Sequence, residues 1–379
     1  MRMPLMVLLF AGALAAQLAP GNWKTDLSKK SIDLGELKSG GPPKDGIPAI
    51  DRPRFDTVDE AARWLHPREP IMVVNLHGEA RAYPLQVLTW HELVNDQIGD
   101  TPLLASFCPL CNSAIVFDRR LDGTVYDFGV SGMLRHSDMV MYDRQTDSLW
   151  QQITGEAIVG ELTGKTLTIL PSQTVSFETF AAGYPQGKVL NRDTGHMRPY
   201  GQNPYERYEF NPRLVAPIGR VELPANVRPM ERLVTITIGD RTRAYTFHYV
   251  RSRKVVEDSF QDIDLVIFYD KNTLSALDSK QIKESQSVGS VGVFCALVDG
   301  NRLRFRHRKD GIEDKQTKSR WNVLGVATEG PLKGKRLKPV DHGVYFAFAW
   351  LVFRPETRVI GDSGLRPGTD PFLSGPQPQ

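Results

Sequence analysis

The sequence predicts a β-rich α+β protein made of two related lobes in tandem, arising from an internal duplication. Three observations predict it. Short β-branched and aromatic runs alternate with turn residues. The triplet Arg81-Ala82-Tyr83 recurs as Arg243-Ala244-Tyr245, each time after an apolar alternating run and a turn. The length, 379 residues, exceeds what one ordinary core serves.

Taken in order, Arg2, the apolar run 5–14 and the small residues Ala13-Leu14-Ala15-Ala16 have the layout of a secretory signal. Residues 1–20 are therefore expected to be a leader, with the mature chain starting near Ala16 or Gln17. The expected location is periplasmic or extracellular. No later run reaches the roughly 20 apolar residues that span a bilayer, so no stable membrane span is expected after the leader is removed. Residues 21–68 read as an extended lead-in, rich in Gly and Pro around 39–48, and then a short helix. Asp56-Thr57-Val58-Asp59-Glu60 supplies its cap and first-turn acids, and Pro67 ends it.

Lobe one is expected over 69–210 and lobe two, a degenerate repeat, over 211–362, with the joint near Asn211-Pro212. Runs 71–74, 103–107, 114–117 and 139–142 read as strands, and 84–95 and 176–182 as helices. The 81/243 match also aligns His91 with Arg253. Further on, Asp143 and Trp150 meet Asp314 and Trp321, an offset that loop insertions explain. Residues 363–379 read as a loosely ordered tail.

A duplicated chain serves as its own control. Aromatics kept in both copies, Tyr83 with Tyr245 and Trp150 with Trp321, are expected to pack the core. Residues in one copy only are candidates for function. Cys108-Pro109-Leu110-Cys111 is one such feature, and a Gly-rich loop at 129–138 is another. Fourteen residues separate Phe128 from Asp143, against eight between Phe305 and Asp314.

Three readings of the cysteine pair stand side by side. Cys108 and Cys111, with His91 as the favoured third donor, could hold a copper or zinc ion. They could instead be catalytic thiols exchanging disulfides, although the strand-like residues that follow lack the helix N-terminus that activates a thioredoxin-type cysteine. The third reading is a local structural clip in a non-enzymatic module that binds a small ligand or a protein partner. Arg135 and Ser131, in the Gly-rich loop, are candidates to bind an anionic cofactor through backbone amides and the guanidinium, with a β-bulge as the plainer alternative. Cys295 sits in an apolar run and is expected to be a buried hydrophobe. A net charge of +3 with 24% charged residues shows no concentrated basic run, which argues against nucleic acid as a partner.

Four segments together resemble a family of exported prokaryotic proteins called domain of unknown function 3179. They are residues 90–96, 107–113, Gly129-Val130-Ser131-Gly132 and 137–144. The resemblance runs from about Gly40 to Tyr208 and reaches the second lobe only weakly. It implies an exported setting and assigns no activity.

Overall fold

The computed structural model describes residues 23–210, 223–309, 311–362 and 364. The expected leader, the joint at 211–212 and nearly all of the tail lie outside these residues. Strand accounts for 44% and helix for 12%, so the fold is β-rich α+β. The chain divides into two compact units. The first is Met1–Arg220 with Asp270–Val291, and the second is Val221–Tyr269 with Gly292–Gln379. The stretch Asp270–Val291 thus packs with the first unit although it lies far along the chain.

In the first unit, Thr57 and Glu60 form a reciprocal capping box that starts the helix Val58–Ala61. Strands Pro70–Leu76 and Glu79–Pro84 form a hairpin over His77-Gly78, both at positive φ, as a tight two-residue turn requires. Helix Leu85–His91 follows, with six of its side chains buried. It is shorter than the sequence suggested. Glu92 takes φ 60, which breaks the helical path, and Leu93–Ile98 pairs as a strand with Thr101–Cys108. The second expected helix is present as Phe177–Gly183, capped by Ser176.

The central sheet runs in the order Thr168–Leu170, Ser113–Asp118, Thr101–Cys108, Leu93–Ile98. All eight residues of Thr101–Cys108 are buried, as in a strand covered on both faces. A second sheet is built on Phe128–Arg135 and Asp138–Asp143. The expected Gly-rich loop is therefore a long hairpin, turned at His136-Ser137 with φ 53 and 63. Part of the lead-in is also ordered against this sheet. Leu37–Ser39 pairs with Phe128–Arg135, and Trp23, Ile32 and Leu34 pack on a cluster that includes Met133, Val140 and Leu149.

Glu69, just before the first hairpin, is 4% exposed and accepts from Gln86 Nε2 at 2.6 Å. Burial raises its pKa to about 7. Its folded-state pKa thus lies above the unfolded value, so the stability it contributes is complete below about pH 4.5 and is lost as pH rises through about 7. Glu69→Gln should flatten that part of the stability profile, a swing of order 3 kcal/mol. Urea midpoints between pH 4 and 9 check this, and an unchanged slope would refute it.

The second unit repeats several local arrangements. Hairpin Arg232–Ile238/Arg241–Thr246 leads to helix Phe247–Arg253, which ends at Lys254 with φ 65. Val255–Phe260 then pairs with Ile263–Asp270 in the register of Leu93–Ile98 with Thr101–Cys108. Tyr83 and Arg81 both donate to Asp96, and Tyr245 and Arg243 both donate to Asp258. Trp150 Nε1 donates to Asp143 at 2.9 Å and Trp321 Nε1 to Asp314 at 3.1 Å. The hairpin matching Phe128–Arg135/Asp138–Asp143 is shorter here, Phe305–Arg308/Gly311–Asp314.

Candidate metal centre

Strand Thr101–Cys108 delivers Cys108 at its last position, and Ser113–Asp118 returns antiparallel with Ser113 opposite Cys108. Pro109-Leu110-Cys111-Asn112 is the connection between them. Cys111 N donates to Cys108 O at 3.2 Å, and Asn112 at φ 52 turns the chain back. The cysteines therefore sit on a β-turn and not at a helix N-terminus, and no helix dipole favours a thiolate.

The long hairpin comes to meet them. Its turn places Ser137 O 3.5 Å from Cys111 Sγ, which donates to it, and sets Asp138 beside both thiols. The two sulfurs and an Asp138 carboxylate oxygen all lie within 4.8 Å of one another, and Cys108 and Cys111 are 3.8 Å apart with no disulfide. Cys108 is 1% exposed, Cys111 and Asp138 0%. Asp138 Oδ2 accepts from Gln151 Nε2 at 2.5 Å and Ile153 N at 3.1 Å. Its buried Oδ1 has no hydrogen-bond partner.

The surroundings contain acids without a balancing cation. Burial raises the pKa of Asp138 to about 6 and that of Glu92 to about 7, the second helped by the Asp138 charge. Burial likewise pushes Cys108 up and Cys111 well up. Glu92 Oε1 accepts from Tyr205 OH at 3.3 Å, and Tyr208 OH donates to Leu110 O at 3.0 Å. Both phenols are raised by burial and by the groups below them. Among the described residues neither Asp138 nor Glu92 has an ion pair.

The run that carries these tyrosines is held by the returning stretch of chain. Asn203 N donates to Lys280 O at 2.8 Å, Arg207 N to Asp278 O at 2.6 Å, and Ile282 N to Gly201 O at 3.0 Å. That stretch begins where the matched strand Ile263–Asp270 ends, the place that the cysteine turn occupies after Thr101–Cys108.

Of the residues expected at the site, the structure brings Cys108 and Cys111 together and places the others elsewhere. His91 is buried, with Nδ1 2.7 Å from Pro48 O and Nε2 2.6 Å from Tyr200 OH. Both ring nitrogens are engaged there, and burial lowers its pKa to about 4. Arg135 Nε donates to Glu36 Oε2 at 2.8 Å, and His136 Nε2 lies 3.1 Å from the same oxygen. Ser131 is fully buried at an irregularity in the hairpin pairing between Val130 and Met133. Its hydroxyl donates to Val140 O and accepts from Met133 N, so it holds a bulge. Met133, Met139 and Met141 are core residues. Cys295 is half-buried, more open than its apolar neighbours suggested.

Asp138 and Glu92 were missed. In the sequence Asp138 ends the expected loop and opens the segment 137–144, and neither feature marks it as a donor, although the extra length of lobe one points to that stretch. Glu92 lies in the segment 90–96, but nothing in its spacing ties it to the cysteines, and only folding brings it near the thiols.

No curated protein and no solved structure matches the chain significantly. A family model described as Protein of unknown function (DUF3179) matches residues 44–357, well past Tyr208, where the resemblance in the sequence stopped being specific. Since the match covers most of the chain and enters both units, the chain belongs to the DUF3179 family.

Proposed function

We propose that the first unit binds one metal ion of borderline-soft character, zinc in the first instance, through Cys108, Cys111 and Asp138. The observation that carries this reading is the convergence of two thiols and a carboxylate, all fully buried, with one carboxylate oxygen left without a partner. A buried polar atom without a partner costs about 1–3 kcal/mol, more when charged, and a cation bound there would remove that cost. The donor spacing supports it too. Two sulfurs at about 2.3 Å from a tetrahedral ion stand roughly 3.8 Å apart. A carboxylate oxygen is a hard donor, which favours zinc over copper(I) in this set. Three protein ligands leave a fourth position open, the arrangement of zinc sites that act on a water or a substrate.

Thiol–disulfide exchange is the second reading, favoured only by the closeness of the two sulfurs. Exchange needs an accessible thiolate. Burial here both closes access and keeps the thiols protonated.

Two further parts of the reading go with the metal site. The units descend from one duplicated domain, as the matched registers and the repeated Tyr–Asp and Trp–Asp bonds suggest. The protein is exported, as the start of the chain suggests, and N-terminal sequencing should find a mature chain beginning near Ala16 or Gln17. A chain still starting at Met1 would count against cleavage.

Elemental analysis of protein purified under reducing conditions, together with a thiol count, tests the metal reading. One ion per chain should be found, with Cys108 and Cys111 protected from alkylation until a chelator removes it. Metal-free protein whose thiols alkylate as fast with added zinc as without it would overturn the reading.

A further inference from the structure

In the first unit, the edge of the central sheet is covered by the chain's own lead-in. Ile50 forms a parallel bridge with Val94, with Ile50 N donating to Leu93 O and Asn95 N to Ile50 O, both at 2.9 Å. The covering segment is fastened through acids. Asp51 accepts from Asn95 Nδ2 at 2.7 Å and pairs with Arg144 at 3.2 Å, and Asp45 accepts from Tyr142 OH at 2.5 Å.

The second unit has the same edge, and among the described residues nothing covers it in that way. Val255 and Glu257 hold the register positions of Leu93 and Asn95. In an antiparallel pair, backbone groups alternate between the partner strand and the outside, so Val255 O and Glu257 N point outward as their counterparts do. Among the described residues, no backbone group outside the sheet bonds to either. Val255–Phe260 is the edge of its sheet. The Glu257 carboxylate does what Asn95 does, accepting from Phe305 N at 2.9 Å as Asn95 Oδ1 accepts from Phe128 N.

Beside this edge lies a cleft of about 300 Å³ lined by Tyr249, Arg253, Val256, Glu257, Phe305 and His307, among others. Its charge is uneven. Glu257 pairs with Arg304 at 3.7 Å, and Arg306, also in the lining, pairs with Glu313. Arg253 lies 3.9 Å over the Tyr249 ring and, like His307, has no carboxylate partner among the described residues.

We infer that the second unit binds an extended acidic peptide segment of a partner protein, which adds as a parallel strand along Val255–Phe260 and sets a carboxylate against Arg253. Main-chain bonds to Val255 O and Glu257 N supply the pairing, and the Arg253 guanidinium selects an acidic sequence. Exposed strand edges invite such pairing unless they are covered or blunted. The inference rests on the equivalence of the two units proposed above and uses no property of the metal site.

The test uses the full chain and a fluorescein-labelled octapeptide alternating valine and aspartate, with a valine–lysine octapeptide as the control. The acidic peptide should raise the anisotropy, more weakly as salt increases, and the lysine peptide should not. By hydrogen exchange, the Glu257 amide should exchange quickly in the free chain and slow on addition of the acidic peptide. Arg253→Glu, at an exposed position, should weaken binding at least tenfold with an unchanged melting curve. Equal binding of both peptides, no binding of either, or full affinity in Arg253→Glu would overturn the inference. So would a Glu257 amide already protected in the free chain, the outcome if the chain's own residues 211–222 cover the edge. None of these outcomes depends on whether Cys108 and Cys111 bind metal.

Discussion

Cys108→Ser and Cys111→Ser are expected to weaken zinc binding by a factor of order a thousand, about 4 kcal/mol. Each removes one of two thiolates from a set of three protein donors, and a serine hydroxyl at neutral pH is a poor replacement for a thiolate. The fold should survive, because serine nearly matches cysteine in size and the second unit forms the same strand pair with Asp270 at the end of Ile263–Asp270. Asp138→Asn should cost less, since the amide oxygen still offers a neutral donor. Competition with a chromogenic chelator reads the affinities, with a thermal melt as the control for folding. Serine variants that hold zinc within about threefold of wild type would remove the cysteines from the site.

Trp150→Ala is expected to destabilise the first unit by about 4 kcal/mol. Trp150 is fully buried, meets Phe128 edge-on at 5.7 Å, and donates to Asp143. Its removal opens a cavity and takes a donor from a buried carboxylate that also accepts from Thr146. Trp150→Phe should recover most of the packing and little of the hydrogen bond, so it should fall between wild type and alanine. Urea unfolding followed by near-ultraviolet circular dichroism measures both. An alanine variant within 1 kcal/mol of wild type would contradict this view of the core.

How much of this was legible in the sequence varies with the range of the interactions involved. The strands were readable because β-branched runs between turn residues state their own conformation, as in Thr101–Cys108 and Asp138–Asp143. The end of the helix at His91 was not. Leu93, Val94 and Ile98 fit a helix face as well as a strand, and only the positive φ at Glu92 and pairing with a distant strand decide between them. The first arm of the hairpin, Phe128–Arg135, reads as a loop in the sequence because of its glycines at 129 and 132. Gly132 is required for a different reason, since a Cβ there would lie 2.1 Å from Pro42 O. The cysteine pair was visible as a motif. Its third partner was not, because Asp138 reaches the thiols only through the pairing of that hairpin. His91 drew attention as a donor absent from the second lobe, but its hydrogen bonds to Pro48 and Tyr200 depend on segments whose approach no local pattern announces.

X-ray absorption at the zinc edge of the loaded full chain tests the central claim most directly. The account predicts two sulfur scatterers at about 2.3 Å and at least one oxygen at about 2.0 to 2.2 Å, with one sulfur lost in Cys108→Ser. A shell of oxygen and nitrogen alone, unchanged by that substitution, would contradict it.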